Sequence, residues 1–288
     1  MSRLSDNTKG RIKLITLRVI VYAILIFLCA LCLFFFYLMI INASRSNAQL
    51  ATGFTLLPKE NFIKNLVNAW NDSSINIPRG MLNSLIIALS SAVLTTYFSA
   101  LTAYGIHAYE FKGKKAVFTF IIAVMMIPSQ VSALGFVQMM TKLNMTNSYV
   151  PLIIPSIAAP VVFFYMKQYM ESVLPLEVID AARVDGSGEF RTFNTIVLPM
   201  LKPAIAVQMI FSFVSSWNNY FVPALLLDKA EMKTVPIMIA QLRSADYSKF
   251  DMGKVYMFIL LAILPVMITY IFLSKSIIKG VTSGSVKG

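Results

Sequence analysis

The chain has 288 residues, of which 57% are apolar and only 13% charged, and its net charge is +12. That composition excludes an ordinary soluble domain and points to a membrane protein. The positive balance fits membrane topology and anionic lipid headgroups better than nucleic acid.

Six stretches hold no Asp, Glu, Lys or Arg: 19–41, 80–107, 117–140, 148–166, 204–227 and 255–274. A spanning helix needs ~20 mostly apolar residues, and a charge at mid-bilayer costs roughly 2.5–3.5 kcal/mol on insertion scales. Barrel alternation is absent, so the expected class is an all-α membrane protein with six transmembrane helices. In chain order the reading gives a basic tail over 1–18, a first span over 19–41 and an external loop over 42–79. A five-helix block over 80–275 and a tail over 276–288 follow. Arg3, Lys9, Arg11, Lys13 and Arg18 precede the first span, and Arg45 follows it. Lys112, Lys114, Lys115, Lys167, Arg183, Arg191, Lys202, Lys275, Lys279 and Lys287 fall on the same side as the tail, so both termini are expected in the cytosol.

The first span is too long for the apolar core of a signal peptide and reads as an uncleaved anchor. Cys29 and Cys32 lie inside it and read as packing residues. The external loop carries one amphipathic stretch around Phe62, Leu66 and Trp70. The second span is rich in small residues, among them Ala88, Ser91, Ala92, Ser99, Ala100 and Ala103, which let helices approach closely. His107 ends it without a ligand cluster, so no metal site is expected. Pro128, Pro151, Pro155, Pro160, Pro223 and Pro265 fall in or beside spans and predict kinks or helix starts.

The loop between the fourth and fifth spans is the most informative segment. Pro175 opens a helix, and Glu177 and Asp180 favour its positive end. Val178, Ala181, Ala182 and Asp185 follow helical spacing and are expected on one face. Gly186 fits the left-handed position that closes a helix. A second short helix is expected to carry Phe190, Phe193 and Val197 on one side and to end at Pro199. The outcome is a compact knob with two readings: a docking surface, or a helix that only seals the bundle.

No G-x-x-x-x-G-K-[ST] sequence occurs, and Gly113-Lys114 lacks both the first glycine and the final hydroxyl residue. No span contains an acid or lysine that could relay protons or hold a coupling ion. A transporter of this design needs energy from another chain. In the fifth span, Trp217, Asn218, Asn219 and Tyr220 combine amides with aromatic faces, which suits a polyhydroxylated ligand in a pathway and equally suits bonding between helices.

The spacing Asp180-Ala181-Ala182, Gly186, Ile196, Leu198-Pro199 resembles the E-A-A-x3-G-x9-I-x-L-P loop of permease subunits in binding-protein-dependent ABC importers, with aspartate in place of glutamate. Ala103-Tyr104 through Phe111-Lys112-Gly113, then Ser216-Trp217-Asn218-Asn219-Tyr220-Phe221 and the ending Gly284-Ser285-Val286-Lys287-Gly288 are similar to the maltose-type oligosaccharide branch. The resemblance implies a type I importer permease fold with a cytosolic coupling helix, in a prokaryotic cytoplasmic membrane. It implies a second permease, two ATPase subunits that hold ATP and Mg, an external solute-binding protein and an oligosaccharide cargo, with no cofactor on this chain. Glu177, Asp180, Ala181, Ala182, Asp185 and Gly186 would face the ATPase, and Lys287 and Gly288 would reach it from the tail. The competing readings are a permease for a non-sugar solute, a self-contained channel or secondary transporter, and a multi-span membrane enzyme. The lone histidine and charge-free spans argue against the enzyme.

Overall fold

A computed structural model of the chain describes residues 2–244 and 251–285. Every regular element among them is helical. Four runs are long and apolar enough to cross a bilayer: Leu14–Ala43 within α1 (Ser2–Ala43), α4 (Ile77–Ala108), the run Val150–Val173, and Met252–Phe272 within α15 (Met252–Ser285).

The expected spans over 117–140 and 204–227 are helical, and each is broken near a proline from which a kink or helix start is expected. The first divides into α5 (Lys114–Val124) and α6 (Ser129–Lys142). Pro128 has no N–H for the Val124 carbonyl, and it disfavours helical geometry at Ile127. The second divides into α12 (Lys202–Trp217) and α13 (Phe221–Leu226). There Pro223 leaves the Asn219 carbonyl without its helical donor, and the break falls on Asn218–Tyr220.

The chain forms two compact units. The first holds α1, α2 (Asn47–Ala51), α3 (Phe62–Trp70) and the beginning of α15. Its knot is the buried Arg45, whose guanidinium donates to the carbonyls of Gln49 and Gly53. Asn65 of α3 donates to the Ala43 and Arg45 carbonyls at 2.8 and 2.9 Å. Phe62 and Leu66 flank that buried Asn65, whereas Trp70, expected beside them, is exposed. Cys29 and Cys32 are free and exposed on α1.

In the second unit α4 is the spine. Its small residues are buried, which allows α8 (Pro160–Val173) and α12 to pack closely. Before α8 the chain passes through α7 (Val150–Ile153) and a tight turn over Ile154–Ile157. Pro160 cannot donate to the Ser156 carbonyl, and the Thr95 hydroxyl does so instead at 2.8 Å. Ser91 donates to the Leu152 carbonyl at 3.3 Å. The small-residue face therefore packs the bundle and also satisfies the carbonyl that Pro160 leaves without a donor.

Candidate functional site

The loop after α8 folds as two short helical segments. Pro175 precedes α9 (Leu176–Val184), with Glu177 in the first turn and Arg183 in the last, as the helix dipole favours. Gly186 has φ +77°, the left-handed geometry expected of it. Its N–H donates to the Arg183 carbonyl at 3.0 Å, and that of Ser187 donates to Ala182 at 2.9 Å. This pair of bonds closes the helix and turns the chain into α10 (Glu189–Thr192). A wider π turn over Phe193–Val197 and α11 (Leu198–Met200) follow. Glu189–Met200 then meets Lys202–Trp217 at 84°, so the loop ends in an elbow at the foot of α12.

One face of this loop belongs to the interior. Ile179, Phe193, Val197 and Leu201 share a core with Ala103 and Tyr104 of α4 and with Met166 and Met170 of α8. The Phe193 ring lies 5.5 Å from that of Tyr104 and 5.7 Å from that of Tyr97. Burying a ring of that size stabilises by roughly 1.5–3 kcal/mol.

Polar contacts tie the same face to α4. Arg183 Nε donates to Glu189 Oε1 at 2.8 Å across the Gly186 turn. Tyr104 donates to the other Glu189 oxygen at 2.7 Å. The Arg183 guanidinium lies 5.2 Å from the Tyr109 ring centre and reaches Asp180 at 3.1 Å. His107 Nε2 bonds the Leu174 carbonyl at 2.9 Å, and the Tyr97 hydroxyl bonds Asn194 at 3.2 Å. Hydrogen bonding to Arg183, and secondarily to Tyr104 and Tyr109, pulls the Glu189 carboxyl down to about 2 against its partial burial. Bonding to Glu189 pushes Arg183 up, and desolvation, ahead of Glu189, raises Tyr109.

The opposite face is open. Leu176, Glu177, Asp180, Ala181 and Asp185 are exposed, as is Val184 at 87%, and Phe190 beside them is 68% exposed. Two sequence expectations change here. Ala182 is 6% exposed and, like Ile179, is turned away from solvent, so the outward stripe runs through Glu177, Asp180, Ala181 and Val184. Phe190 points away from Phe193 and Val197 and joins the open face. Asp180 is engaged by Arg183, while Glu177 makes no ion pair among the described residues. Beside Gly186 there is open space where a side chain would project. The open face thus sets apolar side chains beside carboxylates over a buried inner face.

Comparison with known proteins gives that surface a context. The model of the family described as binding-protein-dependent transport system inner membrane component matches residues 92–277. The chain belongs to this family. It is 37% identical over 234 residues to the arabinooligosaccharides transport system permease protein AraQ of Bacillus subtilis, covering 80% of this chain and 81% of that one. It is 30% identical over 255 residues to the melibiose/raffinose/stachyose import permease protein MelC of the same species, covering 88% and 91%. Its fold is similar to a chain in the crystal structure of a bacterial ABC transporter involved in the import of the acidic polysaccharide alginate. That match has a TM-score of 0.77, 21% identity, and coverage of 89% of this chain and 95% of the other. The protein is thus a multi-pass permease subunit and not an enzyme.

In the permease, the polar cluster expected after α12 divides in two. Trp217 is 3% exposed, stacks on Phe213 with ring centres 5.8 Å apart, and donates its indole N–H to the Ala262 carbonyl at 3.1 Å. It is a packing residue, because both its apolar rings and its N–H are satisfied inside the protein. Asn218, Asn219 and Tyr220 lie in the break between α12 and α13 and are exposed. Lys287 and Gly288, expected in a tail contact, lie outside the described residues.

The sequence reading missed Tyr104, Tyr109 and Glu189 as members of the site. Arg183 and Glu189 were legible as opposite charges flanking a glycine turn. Their link to Tyr104 joins residues 85 apart in the chain, a separation that periodicity does not reveal.

Proposed function

We propose that this permease forms half of the membrane pore of an ATP-driven importer for oligosaccharides. The observation that carries the reading is the two-sided loop over 175–199. Its inner face is continuous with the core of α4 and α8, and its outer face offers Glu177, Asp180, Ala181 and Val184 to a partner. Such a loop passes movement of a docked motor to the helices, since close-packed interiors transmit displacement with little compliance. The motor is an ATPase subunit that binds ATP and Mg, which supplies the energy this chain has no means to capture. Asp180 leaves part of its charge to Arg183, so Glu177 is the freer carboxylate for the docked chain.

On this reading the loop and both termini lie in the cytosol of a prokaryotic cell. A second permease completes the pore, two ATPase subunits dock below, and an external binding protein delivers the cargo. Lys287 and Gly288 would reach the ATPase pair from the tail. Asn218, Asn219 and Tyr220 line the path in the break of the fifth span. The names of the relatives support an oligosaccharide cargo.

The test is co-expression with a second permease, the ATPase and the binding protein, followed by uptake of arabinotriose, raffinose and maltotriose into proteoliposomes. ATP-dependent uptake of at least one sugar, lost when Gly186 is replaced by tryptophan while the permease pair still assembles, supports the reading. Transport by the purified chain alone, or uptake indifferent to Gly186→Trp, contradicts it.

A further inference from the structure

At the end of α12 remote from the loop, a cavity of about 310 Å³ opens beside the broken span. Tyr220, Asp228, Lys233 and Gln241 line it over a base formed by Leu227 and Ile237, which are buried. The volume sits at the lower end of the ~300–1,000 Å³ typical of small-molecule sites. It suits a small part of a chain molecule and not a folded partner.

The wall of this cavity is fixed by its backbone. Asn147, held at φ +53°, accepts the N–H groups of Asp228 and Lys229 at 2.8 and 2.9 Å and donates its own N–H to Leu226 at 2.7 Å. From α4, Asn83 donates to the carbonyls of Glu231 and Lys233, both at 2.9 Å, and Ser84 accepts the Val235 N–H at 2.9 Å. Val235 begins α14 (Val235–Ser244), which carries Ile237 and Gln241. The segment 226–235 is therefore clamped from two sides. A left-handed asparagine costs energy and persists where the surroundings determine it. The charged side chains on this rim are not used in the clamp. Among the described residues neither Asp228 nor Lys233 takes part in an ion pair.

We propose that this cavity is a sugar subsite of the permease that holds one terminal ring of the oligosaccharide; the assignment rests on the importer reading above. A carboxylate accepts from two neighbouring hydroxyls, an ammonium donates to hydroxyl or ring oxygen, and an amide does both. The exposed Tyr220 ring offers a face for sugar C–H groups. One acid and one base give no net charge, which favours a neutral sugar over a phosphorylated or acidic one. Functional groups on a locked backbone need little reorganisation when the ligand arrives.

The test uses the assembled importer in proteoliposomes, with the three sugars ranked by uptake rate. Losing a hydrogen bond to a charged group, or the ring, is expected to slow uptake about 10-fold in Asp228→Asn and Tyr220→Ala. Asp228→Glu and Tyr220→Phe recover most of the rate. The order of preference among the sugars also changes in the weak variants, which a merely structural defect would not cause. A diazirine-bearing derivative of the transported sugar should label wild-type peptide 220–241. Unchanged rates and order in Asp228→Asn and Tyr220→Ala overturn the subsite. So does photolabel found only elsewhere in the pore, a result that needs no variant to fold. If the wild-type complex moves none of the sugars, the oligosaccharide reading itself falls and the subsite with it.

Discussion

The 175–199 loop and the 218–241 rim frame opposite ends of α12, and they are held in contrary ways. At the loop the side chains are tied down: Phe193 in the core, Glu189 between Arg183 and Tyr104, Asn194 to Tyr97. At the rim the backbone is tied down, by Asn147, Asn83 and Ser84, while Asp228 and Lys233 remain available. An element that passes force needs stiffness through its side chains, because slack there absorbs the displacement. An element that reads a cargo needs fixed positions and uncommitted functional groups. On the proposed function, the contrast divides the permease into a part that is moved and a part that is visited.

The contrast breaks most sharply at Phe193. Phe193→Ala removes a wholly buried ring from beneath the loop, at an expected cost of about 3–5 kcal/mol. Thermal melting of the detergent-solubilised chain measures it, and a loss below about 1 kcal/mol means the loop is not part of the core. Next is Ala181→Arg on the open face. It leaves the fold intact, since Ala181 is exposed, and should weaken ATPase binding by roughly 100-fold, as for an interface centre. Titration of the purified ATPase onto the permease pair reads this directly.

Glu189→Gln sits lower on the scale, because both partners of the Arg183 pair are partly exposed and solvent screens it. Uptake should fall by about 3- to 10-fold with ATPase binding retained, since the change slackens the link to α4 without touching the docking stripe. Its pH behaviour follows from the carboxyl being held at about 2 against an ordinary 4.5. A lowered folded value contributes stability that is fully present above about pH 4.5 and lost as pH falls toward about 2. The gap in melting temperature between the native and Glu189→Gln chains should be steady above about pH 5 and close below it. The smallest effect is Gly186→Ala. Open space receives the methyl group, leaving only the cost of the left-handed backbone, about 1 kcal/mol.

Much of the loop was legible from local rules. Gly186 had to be the turn because only glycine adopts that φ cheaply, and the charge placement in α9 followed the helix dipole. Ala182 and Phe190 were not legible, since helical spacing gives the angle between residues but not which arc faces inward. That choice was made by the core of α4 and α8, and by the π turn at Phe193–Val197, which shifts the phase that a regular helix would keep. The spans show the same division. Charge-free length marked all six stretches, but the breaks at Met125–Pro128 and Asn218–Tyr220 depend on how freed carbonyls are satisfied, a tertiary matter. The rim was least legible, because Asn147 reaches Asp228 across 81 positions.

The central claim is that the outward stripe of α9 carries a motor whose movement reaches α4 through Phe193 and Glu189. The most direct measurement is binding-protein-stimulated ATP hydrolysis and sugar uptake, recorded together in the assembled importer, for native, Ala181→Arg and Glu189→Gln permeases. The account predicts that Ala181→Arg loses both activities with the ATPase dissociated. It also predicts that Glu189→Gln keeps the ATPase bound and hydrolysing while uptake per ATP declines. Full uptake with Ala181→Arg, or an unchanged uptake-to-ATP ratio with Glu189→Gln, would contradict it.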